Sequence, residues 1–140
     1  MHPQFSFEVD RRKDLVRIVM GGMFSPGDVD AFFAARRKAH AQLSCAPHQH
    51  VTLTDLRAMK IMPQETVAAF TLLLAHPQSR SRRLAFAVEP TLVRNQLMRI
   101  LAGRPCRCFG DPAQAEAWLI GAEESPLAAA AAPEARRASR

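Results

Sequence analysis

The sequence predicts a single α/β domain in the order β-β-α-β-α-β-α-β-α, with a mixed, mostly parallel sheet of about five strands flanked by four helices. Segments that alternate with period two, or that are short and apolar throughout, are repeatedly followed by segments with helical spacing. This alternation implies crossover connections and therefore parallel neighbours. The first two strand patterns are separated only by a charged turn, which predicts an antiparallel hairpin.

The opening hairpin is predicted from two short segments. Phe5 to Val9 alternates with period two, Asp10 to Asp14 is a charged turn, and Leu15 to Met20 is the second strand, with Arg17 facing outward. Gly21 and Gly22 are expected to end that strand.

The first helix has a strong start signal, because Ser25 suits the N-cap, Pro26 the first helical position and Asp28 the positive end of the helix dipole. Its buried face is predicted to comprise Val29, Phe32, Phe33, Ala39 and Leu43. The basic residues Arg36, Arg37 and Lys38 are expected on the solvated face of this helix.

The central unit is a strand from Val51 to Leu56, a turn of about six residues and an amphipathic helix. Asp55 is expected to mark the end of the strand, and Pro63 suits the first position of the helix. One helical face carries Val67, Phe70, Leu73 and Leu74, and His76-Pro77 stops the helix.

Two further strand and helix units follow. Leu84 to Val88 is apolar, as in a strand covered on both faces, and Thr91 begins a helix that Gly103 ends. Cys106 to Phe109 is a short last strand, and Asp111-Pro112 begins the last helix. The predicted buried residues of these two helices are Val93, Leu97, Ile100, Leu101, Ala115, Trp118 and Leu119.

Length and composition indicate one globular domain over residues 1–120, followed by an alanine-rich tail, 121–140, that we expect to be mobile. No apolar run reaches the roughly 18 residues of a membrane span, and the first residues lack a signal-peptide pattern, so we expect a cytoplasmic protein. Three cysteines give no disulfide framework. The net charge of +6 suits an acidic partner or an ordinary solvated surface.

The order of these elements resembles the STAS domain, the SpoIIAA-like family of bacterial anti-sigma-factor antagonists, and more distantly a Sec14-type lipid carrier. The resemblance covers about residues 5–120. It depends on Asp55-Leu56 before a turn and an apolar helix, on the apolar segment 84–88, and on FGDPAQAEAWL at 109–119. It implies a non-catalytic regulatory domain that binds a protein.

Members of that family that act as phosphoswitches carry Asp-Ser at the start of the second helix. This sequence has Met62-Pro63-Gln64-Glu65 there, without a hydroxyl, and Thr66 lies further into the helix. We therefore expect no phosphosite, because the switch needs a side chain that can carry phosphate to the helix N-terminus.

We predict that the protein binds a protein partner through the turn and the start of the second helix. Arg57, Lys60, Met62, Gln64 and Glu65 are the predicted contact residues. The alternative is a Sec14-like module that binds an apolar small ligand or lipid between the sheet and its helices, and a homodimer is left open. It also stays open that the turn only connects the strand to the helix and binds no partner.

Other functions are less well supported by the sequence. Nucleic-acid binding through Arg80 to Arg83 and the Arg36 cluster lacks exposed aromatic residues for base stacking. His40, Cys45, His48 and His50 lack zinc-like spacing, so no metal or other cofactor is predicted. Neighbouring arginines, Arg104 and Arg107, could lower a thiol pKa in Cys106-Arg107-Cys108, although packing is the simpler explanation. No catalytic motif is present, and we predict no enzyme activity.

Overall fold

The computed structural model describes residues 2–46, 48–76, 80–101 and 103–124, with the side chains of 122–124 excepted. The strands are β1 (Gln4–Asp10), β2 (Leu15–Gly22), β3 (Val51–Met59), β4 (Arg83–Ala87) and β5 (Arg107–Phe109). The helices are α1 (Pro26–His40), α2 (Gln64–Leu74), α3 (Leu92–Leu101) and α4 (Pro112–Glu124). The predicted element order is therefore confirmed.

The five strands form one sheet in the order β1-β2-β3-β4-β5. β1 and β2 pair antiparallel, and the remaining neighbours pair parallel. Because the side chains of a strand alternate between faces, each strand contributes to two layers. Helices α1, α2 and α3 pack on one face around a phenylalanine-rich core, whereas α4 packs on the other face against β3, β4 and β5.

The glycines at the end of β2 extend the sheet, and the prediction that they end the strand is wrong. Gly21 pairs with Ala58 and Gly22 with Met59, after a register shift that follows Val19. A Cβ on Gly21 would lie 3.0 Å from the Cβ of Ala58, and Gly22 has φ +81°. The missing side chain of Gly21 thus lets the two strands approach closely, whereas a Cβ on Gly22 would overlap the His2 carbonyl.

The same pairing lengthens β3, so the predicted strand end at Asp55 and Leu56 is also wrong. β3 continues to Met59, and the turn before α2 shortens to residues 60–63. Pro63 is the N-cap of α2, one position before the helical position predicted for it.

The predicted caps of α1 and α4 are confirmed. The Ser25 hydroxyl accepts a hydrogen bond from the Asp28 backbone N–H at 3.2 Å, and the Asp28 carboxylate accepts one from Ser25 N at 2.8 Å. The bond from Ser25 N, together with one that the Ser25 hydroxyl donates to the same carboxylate at 2.8 Å, lowers the pKa of Asp28. Asp111 accepts a bond from Ala113 N at 3.0 Å at the start of α4. Helix α4 includes residues 121–124 of the predicted tail, and the rest of that tail lies outside the described residues.

Candidate functional site

A cavity of about 370 Å³ lies between the sheet and helices α1, α2 and α3. Its size falls within the ~300–1,000 Å³ range of small-molecule sites. Large apolar side chains from the sheet and from all three helices form most of its wall. They include Ile18, Met20, Phe32, Phe33, Leu56, Phe70, Phe86 and Leu97.

One end of this cavity is basic. Four arginines line it there: Arg36 from α1, Arg80 and Arg82 from the loop before β4, and Arg104 from the loop after α3. They lie near the amino ends of β3 and β4, together with two hydroxyl side chains. Thr52 and Ser81 hydrogen-bond each other at 2.6 Å. We call the part of the cavity around these four arginines the arginine end of the cavity.

Arg36 is buried, with 5% of its surface exposed, so its predicted place on the solvated face of α1 is wrong. Its helical spacing from Phe32 and Phe33 puts it on the buried face, and its guanidinium lies 5.6 Å from the Phe33 ring centre. Desolvation, reinforced by repulsion from Arg104, lowers the pKa of Arg36 to about 10. Arg37 and Lys38 are exposed as predicted.

Two histidines stack beside this end of the cavity. The rings of His40 and His50 lie 4.5 Å apart, and His50 Nε2 is 3.1 Å from the Ser81 hydroxyl. Burial, with a smaller contribution from Arg36, lowers the pKa of each histidine to about 4. Within the described residues, no group of three or more His, Cys, Asp and Glu side chains could hold a metal ion.

The five predicted partner-binding residues occupy different environments. Arg57 belongs to β3 rather than to a turn, and it forms an ion pair with Asp55 at 2.8 Å. Lys60, Gln64 and Glu65 are exposed at or next to the turn. Met62 is partly buried against the core and lines the cavity, because Gln96 hydrogen-bonds both its N–H and its carbonyl, at 2.9 and 2.8 Å.

A groove at the opposite end of the sheet from the arginines contains several exposed apolar residues. Met23, Ile61 and Leu92 line it with exposures of 44%, 47% and 61%, and Arg57 and Lys60 lie beside them. We call this the carboxyl-end groove, because it lies where β3 and β4 end. The predicted contact residues did not include Met23 and Leu92, which are distant in sequence from the turn.

Thr66 is fully buried in the first part of α2, and its hydroxyl donates a 2.8 Å hydrogen bond to the Phe24 carbonyl. Phosphate could be attached there only after the helix had separated from Phe24. The expectation that this site is not phosphorylated remains a prediction.

The two thiols of Cys106 and Cys108 interact with each other beside α3. Their interaction raises the pKa of Cys106 and lowers that of Cys108, to which Arg94 also contributes. Arg107 instead lies over Phe109 and Trp118 on the opposite face of the sheet, at 5.0 and 5.8 Å from the ring centres. The sequence prediction thus named the wrong arginines for this pair.

The basic segment at 80–83 is divided between two environments. Arg82 donates to the Gln49 carbonyl at 2.9 Å, and the Arg83 guanidinium lies 5.5 Å from the Trp118 ring centre. Arg80 and Arg82 line the cavity. With Arg36 buried as well, these residues do not form one continuous exposed basic surface of the kind that binds nucleic acid.

Comparison with solved structures establishes the fold. The chain is similar to an uncharacterized DUF3478-family protein with a SpoIIAA-like fold from Shewanella loihica, with a TM-score of 0.66 and 15% identity over 85% of this chain and 96% of that one. This chain therefore has a SpoIIAA-like fold. No protein-family model and no curated protein matches it. Among the described helices, none has the length and apolar character needed to cross a membrane.

Proposed function

We propose that this protein is a non-catalytic SpoIIAA-like module that binds an apolar small molecule in the cavity under α1, α2 and α3. The observation that carries the proposal is the cavity itself, about 370 Å³ within a core of buried phenylalanine, leucine and methionine side chains. Protein interiors are otherwise packed with few voids larger than a water molecule.

The energetic argument follows from the size of this space. Wall side chains that border an empty, partly open space of about 370 Å³ lose packing contacts on one side, and that loss is a free-energy cost. An apolar ligand would offset much of it by restoring contacts along the cavity wall.

Native mass spectrometry of the freshly purified chain tests this proposal. We expect a bound apolar molecule that organic extraction removes, and we expect the extracted protein to bind Nile red. Leu97→Trp should fill part of the cavity and lower Nile red affinity, because Leu97 is a buried wall residue. Leu92→Trp is the matched control on the same helix, where Leu92 is exposed. Equal Nile red binding by both variants and the wild type would contradict the proposal.

A second candidate function is protein binding at the carboxyl-end groove. It is supported by the clustering of Met23, Ile61 and Leu92, three exposed apolar residues from separate segments, next to the cations of Arg57 and Lys60. Gln64 and Glu65 lie exposed at the adjacent start of α2. A partner bound there would not depend on phosphorylation, because the start of α2 lacks a hydroxyl at the family's switch position.

A pull-down from cell extract with Lys60→Glu/Ile61→Asp tests the second candidate. Ile61 replaces Met62 in this design because Met62 contributes to the core. Leu72→Asp is the control, since Leu72 is 76% exposed on α2 outside the groove. We expect the groove variant to lose proteins that the wild type and the control retain. The assignment is wrong if all three retrieve the same set.

A further inference from the structure

The cavity has two chemically different ends. At the far end its wall is formed by apolar side chains such as Leu56, Met59 and Phe70, whereas four arginines and the hydroxyls of Thr52 and Ser81 lie at the other end. A purely apolar ligand would match only the first of these environments. The arginine end offers charged hydrogen-bond donors that match a ligand with a polar group at one end.

The arginine end is also the entrance. Of the described residues that line the cavity, those with exposed side chains are Arg80, Arg82 and Pro105, and all three belong to this end. An elongated molecule would therefore enter with its apolar part first. The polar group at its other end would then lie next to the arginines.

The charge at this entrance has one sign. The described lining residues include no Asp or Glu, and Arg36 lies close enough to Arg104 for their repulsion to lower the Arg36 pKa. Holding like charges together in a partly desolvated space is unfavourable. A bound anion would offset this repulsion and could accept charge-assisted hydrogen bonds from the guanidinium groups.

We infer that the ligand is a single-chain amphiphile with an anionic head group, a carboxylate or a phosphate monoester, held by Arg36, Arg82 and Arg104 while its acyl chain fills the apolar end. This inference rests on the proposed ligand-binding function and adds to it the chemical class of the ligand. Arg80 provides additional positive charge at the opening.

The test is titration of the extracted full chain with dodecanoate, dodecyl phosphate and dodecanol, each below its micelle concentration, by displacement of Nile red. Charge-assisted hydrogen bonds predict that at least one anion binds about tenfold or more tightly than dodecanol. The tighter of the two anions identifies the head group as carboxylate or phosphate.

Two variants test whether the preference for an anion over dodecanol depends on the arginine end. Arg36→Met and Arg104→Met should each reduce the ratio of anion affinity to dodecanol affinity about tenfold, because each removes a charge at the head-group position. Arg37→Met is the matched control, one residue along α1 and exposed. Arg104 is only partly buried, so its variant provides the test if Arg36→Met does not fold.

The outcomes separate this inference from the function on which it rests. If dodecanol binds as tightly as both anions, or if the arginine variants keep the anion preference, the head-group inference is overturned and the apolar cavity remains a binding site. If Nile red binds but none of the three amphiphiles displaces it, the inferred ligand class is overturned and the apolar cavity remains a binding site. If Nile red itself does not bind, both the inference and the proposed function fail.

Discussion

The face of the sheet under α4 is closely packed, whereas the face under α1, α2 and α3 encloses a cavity. Leu15, Ala85, Ala115 and Leu119 all have 0% exposure on the α4 face. Small alanines on the helix and the strand let the two backbones approach closely there. On the other face, three helices have to meet over a sheet lined with bulky side chains, and space remains between them.

The polar residues of the two faces also differ. On the α4 face, Arg17 forms ion pairs with Glu116 and Glu8 near solvent, and Glu116 also bonds Lys13 at 3.4 Å. On the cavity face, Arg36, Thr52 and His50 are buried. Surface pairs of the first kind contribute little to stability, whereas buried polar groups are retained at a cost. The contrast supports the proposal that the cavity face binds a ligand, whereas the α4 face stabilises the fold.

The largest effect is expected from opening a hole in the α4 face. Leu119→Ala should lower the free energy of unfolding by about 2–5 kcal/mol, because a fully buried leucine loses its contacts and leaves a cavity. Urea unfolding followed by circular dichroism measures the loss. Leu72→Ala, at an exposed helical site, is the control. A loss below about 1 kcal/mol for Leu119→Ala would show that this face is loosely packed.

Enlarging side chains should distinguish the two faces directly. Ala115→Leu should destabilise the protein by about 1–3 kcal/mol, because Ala115 is fully buried in the core under α4. Leu97→Phe, on α3, should cost less than about 1 kcal/mol, since its side chain lines the cavity. Both sites are helical, so the comparison reports packing rather than a change of secondary structure. Equal losses in urea unfolding would contradict the difference between the faces.

The buried histidines should make the cavity face sensitive to mild acid. Because the pKa of His40 and of His50 falls from 6.5 to about 4 on folding, the unfolded chain binds more protons between these values. The contribution of the two neutral histidines to the free energy of unfolding is complete above pH 6.5 and is lost as the pH falls toward 4. The loss is about 2 kcal/mol in all, after allowance for the partial exposure of both rings.

Urea titrations at a series of pH values measure this dependence. The double variant His40→Gln/His50→Gln should flatten it over that range, and His2→Gln, at an exposed position, should leave it unchanged. A double variant that retains the wild-type pH dependence would show that other groups cause it.

The smallest effect is expected for the ion pairs of the α4 face. Glu116→Gln should cost less than about 1 kcal/mol, and the loss should shrink as salt rises. Hydrogen bonding by Arg17 lowers the pKa of Glu116 on folding, so this contribution is present above its ordinary value of 4.5 and is lost as the pH falls below it. A loss independent of salt in thermal unfolding would contradict a surface electrostatic origin.

The sequence alone determined the element order, because each element carries local signals. The Ser25 and Asp111 caps, the helical spacing of Leu97, Ile100 and Leu101, and the alternation in the first hairpin act within a few residues. The burial of Arg36 could also have been predicted from the sequence, because its helical spacing places it on the same face as the phenylalanines of α1. Its charge alone suggested a solvent-exposed position.

Only the tertiary structure decided where the strands ended and which residues formed a site. Gly21 and Gly22 read locally as strand breakers, but their pairing with Ala58 and Met59 keeps both strands extended. The arginine end combines residues from α1 and from two separate loops, and the size of the cavity depends on how three helices meet over one sheet. Such assemblies depend on contacts between distant segments, which no local pattern encodes.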